Sequence, residues 1–166
     1  MREFIMVSRE DLKSILVLRY LSDEMLDKLT PMVDILHFEE REVIFRQGDK
    51  GSRFYLLKRG KIVLEKRLSD GLSFLAGSVK PGYSLGWSAM LEEGDYTLDA
   101  IATETCEVYA ITGDKIKKLL NDDHTMGYIM TQGLLRVLKR RLDNRTEQFI
   151  RVLTQHPDIK NLDDDQ

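Results

Sequence analysis

The chain is poor in the residues that announce covalent or metal chemistry. It holds a single cysteine, Cys106, which excludes an internal disulfide and any cysteine pair with redox or metal spacing. The thiol sits in ETCEVYAIT, which alternates as a strand does, so a buried structural cysteine is expected. Three histidines, His37, His124 and His156, are scattered along the chain, with no spacing that gathers them around a metal. There is no nucleophile elbow and no Walker-type glycine loop, and no carboxylate pair marks acid–base work. Catalysis and a cofactor are therefore not expected. No apolar run approaches membrane-spanning length. The opening MREFIMVSRE carries acidic residues and its apolar run is too short for a signal peptide, so the expected location is the cytosol. Positive charge is in deficit too, with 25 Lys and Arg against 28 Asp and Glu, a net of -3, so no global field draws the chain to nucleic acid or membrane.

What is present is organised in three parts. The 166 residues, 42% hydrophobic and 32% charged, suffice for one soluble domain with an appendage. Residues 1–33 read as helices. In VSREDLKSILVLRYL, Ser8 is an N-cap with Asp11 at the capping-box position, and Leu12, Ile15, Leu16 and Arg19 follow at helical spacing. In LSDEMLDKLTPMV, Ser22 is the cap, Asp23 and Glu24 favour the positive helix end, and Pro31 marks the close.

From 34 to 112 the period changes to that of strands. VDILHF, EVIF, FYLLK, KIVLEKRL, LSFLAGSV, TLDAIA and CEVYAI are short and rich in β-branched and aromatic residues, separated by glycine-containing turns. Ser69-Asp70-Gly71 is the clearest hairpin signal. SLGWSAMLEEGDYT, residues 84–97, reads as a strand breaking into a very short helix, with a further turn at Glu93-Gly94-Asp95. Many short strands with regular turns predict a sandwich or roll.

Residues 113–157 are helical again: a short helix in GDKIKKLLND, then one long helix from about Asp123 to His156. Met126, Met130, Leu134 and Val137 form a core-facing stripe. A second stripe, Tyr128, Thr131, Leu135, Leu138, Leu142, Arg145, Phe149 and Val152, alternates steps of three and four, the pattern of a heptad seam. One wide core stripe is the alternative. A helix of roughly 30 residues is about 45 Å long, more than so small a domain covers, and this favours a parallel homodimer with Leu135, Leu138, Leu142 and Phe149 at its interface. Gly127 and Gly133 weaken the first turns, which suits a movable hinge or carries no meaning. The tail at 158–166 is acidic and expected to be disordered.

Helices, a β-roll, then a long helix: this arrangement resembles the cyclic-nucleotide-binding domain superfamily, the sensor half of catabolite-activator-type regulators. VIFRQGDKGSRFYLLKRGKIVL carries the Gln-Gly-Asp turn and the Gly60 turn, KPGYSLGWSAML sits at the phosphate-facing helix, and ATETCEVYAITGDKIKKLL matches the last strand and first closing helix. The resemblance implies an α+β fold, a jelly-roll-like β-roll with N-terminal helices and a long C-terminal helix. It implies a regulatory role in signal transduction and a ligand site at Gly86, Trp87, Ser88, Ala89, Tyr96 and Thr97. In the family a glutamate takes the ribose hydroxyl and an arginine neutralises the phosphate. Here Trp87 and Tyr96 stand at those positions, so weak or altered cyclic nucleotide binding is expected.

Tyr96 and Thr97 are candidate neutral donors, and Arg145 is a candidate replacement cation. Alternatively, Trp87 plugs the pocket of a ligand-free protein-interaction subunit, Tyr96 is a surface-loop residue and Arg145 is a solvated or interhelical charge. A cupin, which shares the roll, would need a His-x-His cluster that is absent. The chain runs only about ten residues past the long helix, too few for a recognition helix, and RVLKRRLDNR reads as a solvated face. The expected partners are a small molecule, with a nucleotide among the candidates, a second copy of the chain, and a protein partner; neither nucleic acid nor membrane is expected.

Overall fold

The computed structural model describes residues 7–69, 71–92 and 94–155. Asp70, Glu93, His156 and the tail at 158–166, each read above, lie outside the described residues.

The first helix, α1 (Arg9–Lys13), has the capping box: the Asp11 N–H donates to Ser8 Oγ and the Ser8 N–H to the Asp11 carboxylate. It is much shorter than the periodicity predicts. Beyond it the chain turns with i→i+3 bonds at Ile15, Leu18 and Leu21, while the Leu16 N–H leaves the segment to donate to the Gly82 carbonyl. Tertiary pairing thus overrides the helical pattern, and Ile15, Val17, Leu18 and Leu21 are buried as turns. α2 (Asp23–Leu29) is capped by Ser22 and runs into a 3-10 turn, Thr30–Met32, that contains Pro31.

Eight strands follow: β1 (Asp34–Phe38), β2 (Val43–Phe45), β3 (Arg53–Arg59), β4 (Ile62–Ser69), β5 (Leu72–Val79), β6 (Ser84–Leu85), β7 (Asp99–Ala102) and β8 (Cys106–Thr112). They form two antiparallel four-stranded sheets, in the orders β1-β8-β3-β6 and β2-β7-β4-β5. The fold is the α+β β-roll expected. Between the sheets lies one core, with Tyr55, Leu57, Ile62, Val108 and Cys106 among its members. The outer face of β3 and β8 (Phe54, Leu56, Tyr109, Ile111) meets the helices in a second core. Because β3 is covered on both faces, its apolar run Phe54–Leu57 is continuous rather than alternating.

Gly113–Asp122 forms α3 and His124–Thr154 forms α4, a helix of 31 residues. Met126, Met130 and Val137 of α4 are buried, with Leu134 packed against the same core. Gly133 has a specific reason: a Cβ there would lie 2.7 Å from the Val17 carbonyl oxygen, so the helix backbone rests directly on the N-terminal turns. Val137 is the last buried residue of α4, and every described residue from Leu142 onward is exposed. Among the described residues no helix is long and apolar enough to cross a membrane.

Candidate functional site

The short stretch after β6 is built by a left-handed residue. Gly86 has φ 74°, and a Cβ there would meet the Arg53 carbonyl oxygen at 2.8 Å and Tyr55 Cδ2 at 2.9 Å. Glycine is therefore demanded by β3 beneath it, whatever lies above. The chain then enters a 3-10 turn, Trp87–Met90, in which the Ala89 N–H donates to the Gly86 carbonyl. Ala89 turns into the helical core and does not reach the cavity described next.

Between this turn, the roll and α4 lies a cavity of about 360 Å³. Phe45, Leu64, Leu85 and Leu98 give it an apolar floor, and Gly86, Trp87, Ser88, Tyr96 and Thr97 form one wall. The opposite wall is α4, through Leu138, Arg141, Leu142 and Arg145. Six of the seven ligand residues read from the sequence thus converge. Arg141 was missed, along with the apolar floor. The available signal was spacing, since Arg141 precedes Arg145 by one helical turn and shares its flank. Leu138 and Leu142, assigned to a dimer seam, also line the cavity, so their faces serve the site as well as any seam.

Tyr96 is not a surface-loop residue. It is 4% exposed, stacks on Phe45 at 3.9 Å, and its hydroxyl donates to the Arg53 carbonyl (2.8 Å) while accepting from the Arg53 N–H (3.0 Å). Its ring therefore faces the cavity while its polar end is committed to β3. The Gln-Gly-Asp turn holds the same loop: the Gly48 N–H donates to the Tyr96 carbonyl and the Tyr96 N–H to the Asp49 carbonyl. Asp99, nearly buried, anchors that turn by accepting from the Gln47 N–H and from Arg67.

The indole of Trp87 lies along the wall, its Nε1–H donating to Ser84 Oγ at 2.9 Å. Arg141 sits over that ring at 4.5 Å and donates to the Ser84 carbonyl at 3.1 Å. Burial lowers its affinity for the proton, with Arg145 and Arg140 adding like-charge repulsion. Arg145 donates to the Ala76 carbonyl of β5 at 2.9 Å. The lining holds two guanidinium groups and no carboxylate. Such a site attracts an anion with an apolar body. No group of His, Cys, Asp and Glu among the described residues is placed to hold a metal.

Comparison with known proteins agrees with this architecture. Residues 35–123 match the family model described as the cyclic nucleotide-binding domain. The chain is 25% identical over 114 residues to the CRP-like cAMP-activated global transcriptional regulator of Mycobacterium tuberculosis, a match covering 69% of this chain and 49% of the regulator. The match thus spans about half the length of that relative. Among solved structures, a candidate cyclic nucleotide-binding protein from Geobacter metallireducens superposes with a TM-score of 0.73 at 25% identity, covering 82% of this chain and 99% of that one. The Thermus thermophilus catabolite activator protein gives a TM-score of 0.67 at 24% identity, over 83% of this chain and 62% of that one. The chain belongs to the cyclic nucleotide-binding domain family.

Proposed function

We propose that this chain is a ligand-sensing regulatory module whose cavity takes a small anion with a flat, largely apolar body, and that cyclic AMP and cyclic GMP bind it weakly. Gly86, Trp87, Ser88, Tyr96 and Thr97 would contact the ligand from the roll, and Arg141 and Arg145 from α4, with Ala89 shaping the turn from behind. The carrying observation is the charge of the lining: two guanidinium groups reach in from the helix, and no carboxylate waits for a ribose hydroxyl. With Trp87 and Tyr96 at the positions of the family's glutamate and arginine, both charged side chains that hold a cyclic nucleotide are replaced. Losing one partner of a buried charge pair costs about 2–5 kcal/mol, or tens to thousands of times in affinity. Trp87 is tied to Ser84 and Arg141 at the wall and leaves the cavity open, which favours an occupied site over a plugged one.

A ligand touching both the roll and α4 would report itself by favouring one placement of the helix. Homodimerisation along α4 gives that placement an output. Leu142, Phe149, Ile150, Val152 and Leu153 are exposed on the part of α4 beyond its last core contact, a stretch of about 25 Å whose stability in water is marginal without a partner. Leu72, Phe74 and Leu75 of β5 are exposed as well.

Calorimetry tests the reading. Neither cyclic AMP nor cyclic GMP should bind more tightly than about 100 µM. Anilinonaphthalene sulfonate, an aromatic anion, should bind saturably and lose at least about fivefold in affinity in Arg141→Leu. Micromolar binding of either nucleotide, or sulfonate binding indifferent to Arg141, would overturn the proposal.

A further inference from the structure

On the other flank of α4 lies a second concavity, of about 250 Å³, between the turns at Leu16–Tyr20 and the helix. Gly133, where the helix backbone rests on Val17, lies in its lining, and Arg136 and Arg140, one and two turns further along the helix, line it too. Arg19 faces them from the N-terminal segment.

This lining carries three guanidinium groups and no carboxylate, in a chain whose net charge is -3. None of the ion pairs among the described residues uses Arg19, Arg136 or Arg140. Other arginines of the fold do pair: Arg9 with Asp27, Arg53 with Asp34 and Arg67 with Asp99. Two of the three are also held in place. Arg136 lies over the Tyr20 ring at 5.0 Å, and Arg140 lies over the Tyr83 ring at 5.1 Å while donating to the Tyr83 hydroxyl. A guanidinium held over a ring keeps most of its N–H donors available, which suits a phosphate.

We infer that this cleft is a binding site for the phosphate end of a phosphorylated small molecule, separate from the cavity of the proposed sensor function and independent of what that cavity holds. The volume falls below the roughly 300–1,000 Å³ of whole-ligand pockets, so it suits a phosphate group or a short polyphosphate rather than an entire nucleotide. Its concavity between two elements favours a small ligand over a flat macromolecular surface. Arg140 and Arg141 are neighbours on α4, one turned to the cleft and the other to the cavity. An anion bridging Arg19 to Arg136 and Arg140 pins the helix to the N-terminal turns, and any effect on the cavity's ligand must be reciprocal.

The probe is inorganic tripolyphosphate, titrated calorimetrically into the full chain at about 0.1 M salt, where long-range attraction is largely screened. Saturable binding at one per chain is expected. Arg19→Gln with Arg136→Gln, both at exposed positions, should weaken it at least about fivefold. The control pair Arg59→Gln with Arg151→Gln removes equal charge elsewhere and should change it by less than about twofold. Circular dichroism of each variant checks that the fold is kept. The inference is overturned by absence of saturable binding, by a loss below fivefold in the cleft variant, or by an equal loss in the control pair. Tighter binding of an oligoaspartate peptide or duplex DNA than of tripolyphosphate would overturn it too, by assigning the cleft to a macromolecule.

Discussion

The hydroxyl of Tyr96 answers both the N–H and the carbonyl of Arg53, and its ring closes the stack on Phe45. Tyr96→Phe keeps the stack but strands two backbone groups of β3, which should lower the unfolding free energy by about 1–3 kcal/mol. Urea denaturation measures this, and a change below about 0.5 kcal/mol would show that water replaces the hydroxyl at no loss. Individual residues of the site were unevenly legible. Gly86 was assigned to the ligand site, and the closeness of β3 gives a second, structural reason for glycine there. Tyr96 was recognised as a departure from the family pattern, yet its burial follows from Phe45, more than fifty residues earlier in the chain, and no local pattern encodes such a partner. Arg141 was hidden in a basic run that looks like a solvated face, and it acquires its role only where Trp87 lies beneath it.

At the scale of elements, α4 carries the most information. At about 100° per residue, one flank bears Leu138, Arg141 and Arg145 toward the cavity, while the side opposite the core bears Tyr128, Leu135, Leu142 and Phe149. Leu138 and Leu142 touch the cavity, so substituting either confounds dimerisation with ligand binding. Leu135→Lys with Phe149→Lys avoids that overlap, because neither residue lines the cavity and both are more than half exposed. Sedimentation should report a dimer for the parent chain and a monomer for this variant. A variant that stays dimeric would remove the seam from the account of signalling. The existence and length of α4 followed from its periodicity and the absence of a breaker, whereas α1 stopped early because the Leu16 N–H found Gly82.

The whole molecule has two cores sharing β3 and β8, one between the sheets and one under the helices. Cys106 lies in the first, fully buried, its thiol directed at the Lys61 and Glu104 carbonyls and held protonated above its ordinary range chiefly by burial. It therefore reports on opening of the molecule. An aromatic disulfide reagent should label it at least about a hundredfold more slowly in buffer than in denaturing urea, as a cooperative domain of ordinary stability requires. Equal rates would mean that the sheets part locally, without global unfolding.

By itself the sequence determined the order of elements, the strands and their turns and the long helix, because these rest on periodicity, capping and turn chemistry that act over a few residues; the family came from the resemblance its motifs carry. It also exposed the unusual residues at positions 87 and 96. Tertiary structure alone decided what those residues do. The cavity's charge comes from a helix some fifty residues downstream of its turn, and the arginine cleft from contact between the first turns of the chain and its last helix. Side chains so distant in sequence meet only once the cores have formed, and no local pattern records their meeting.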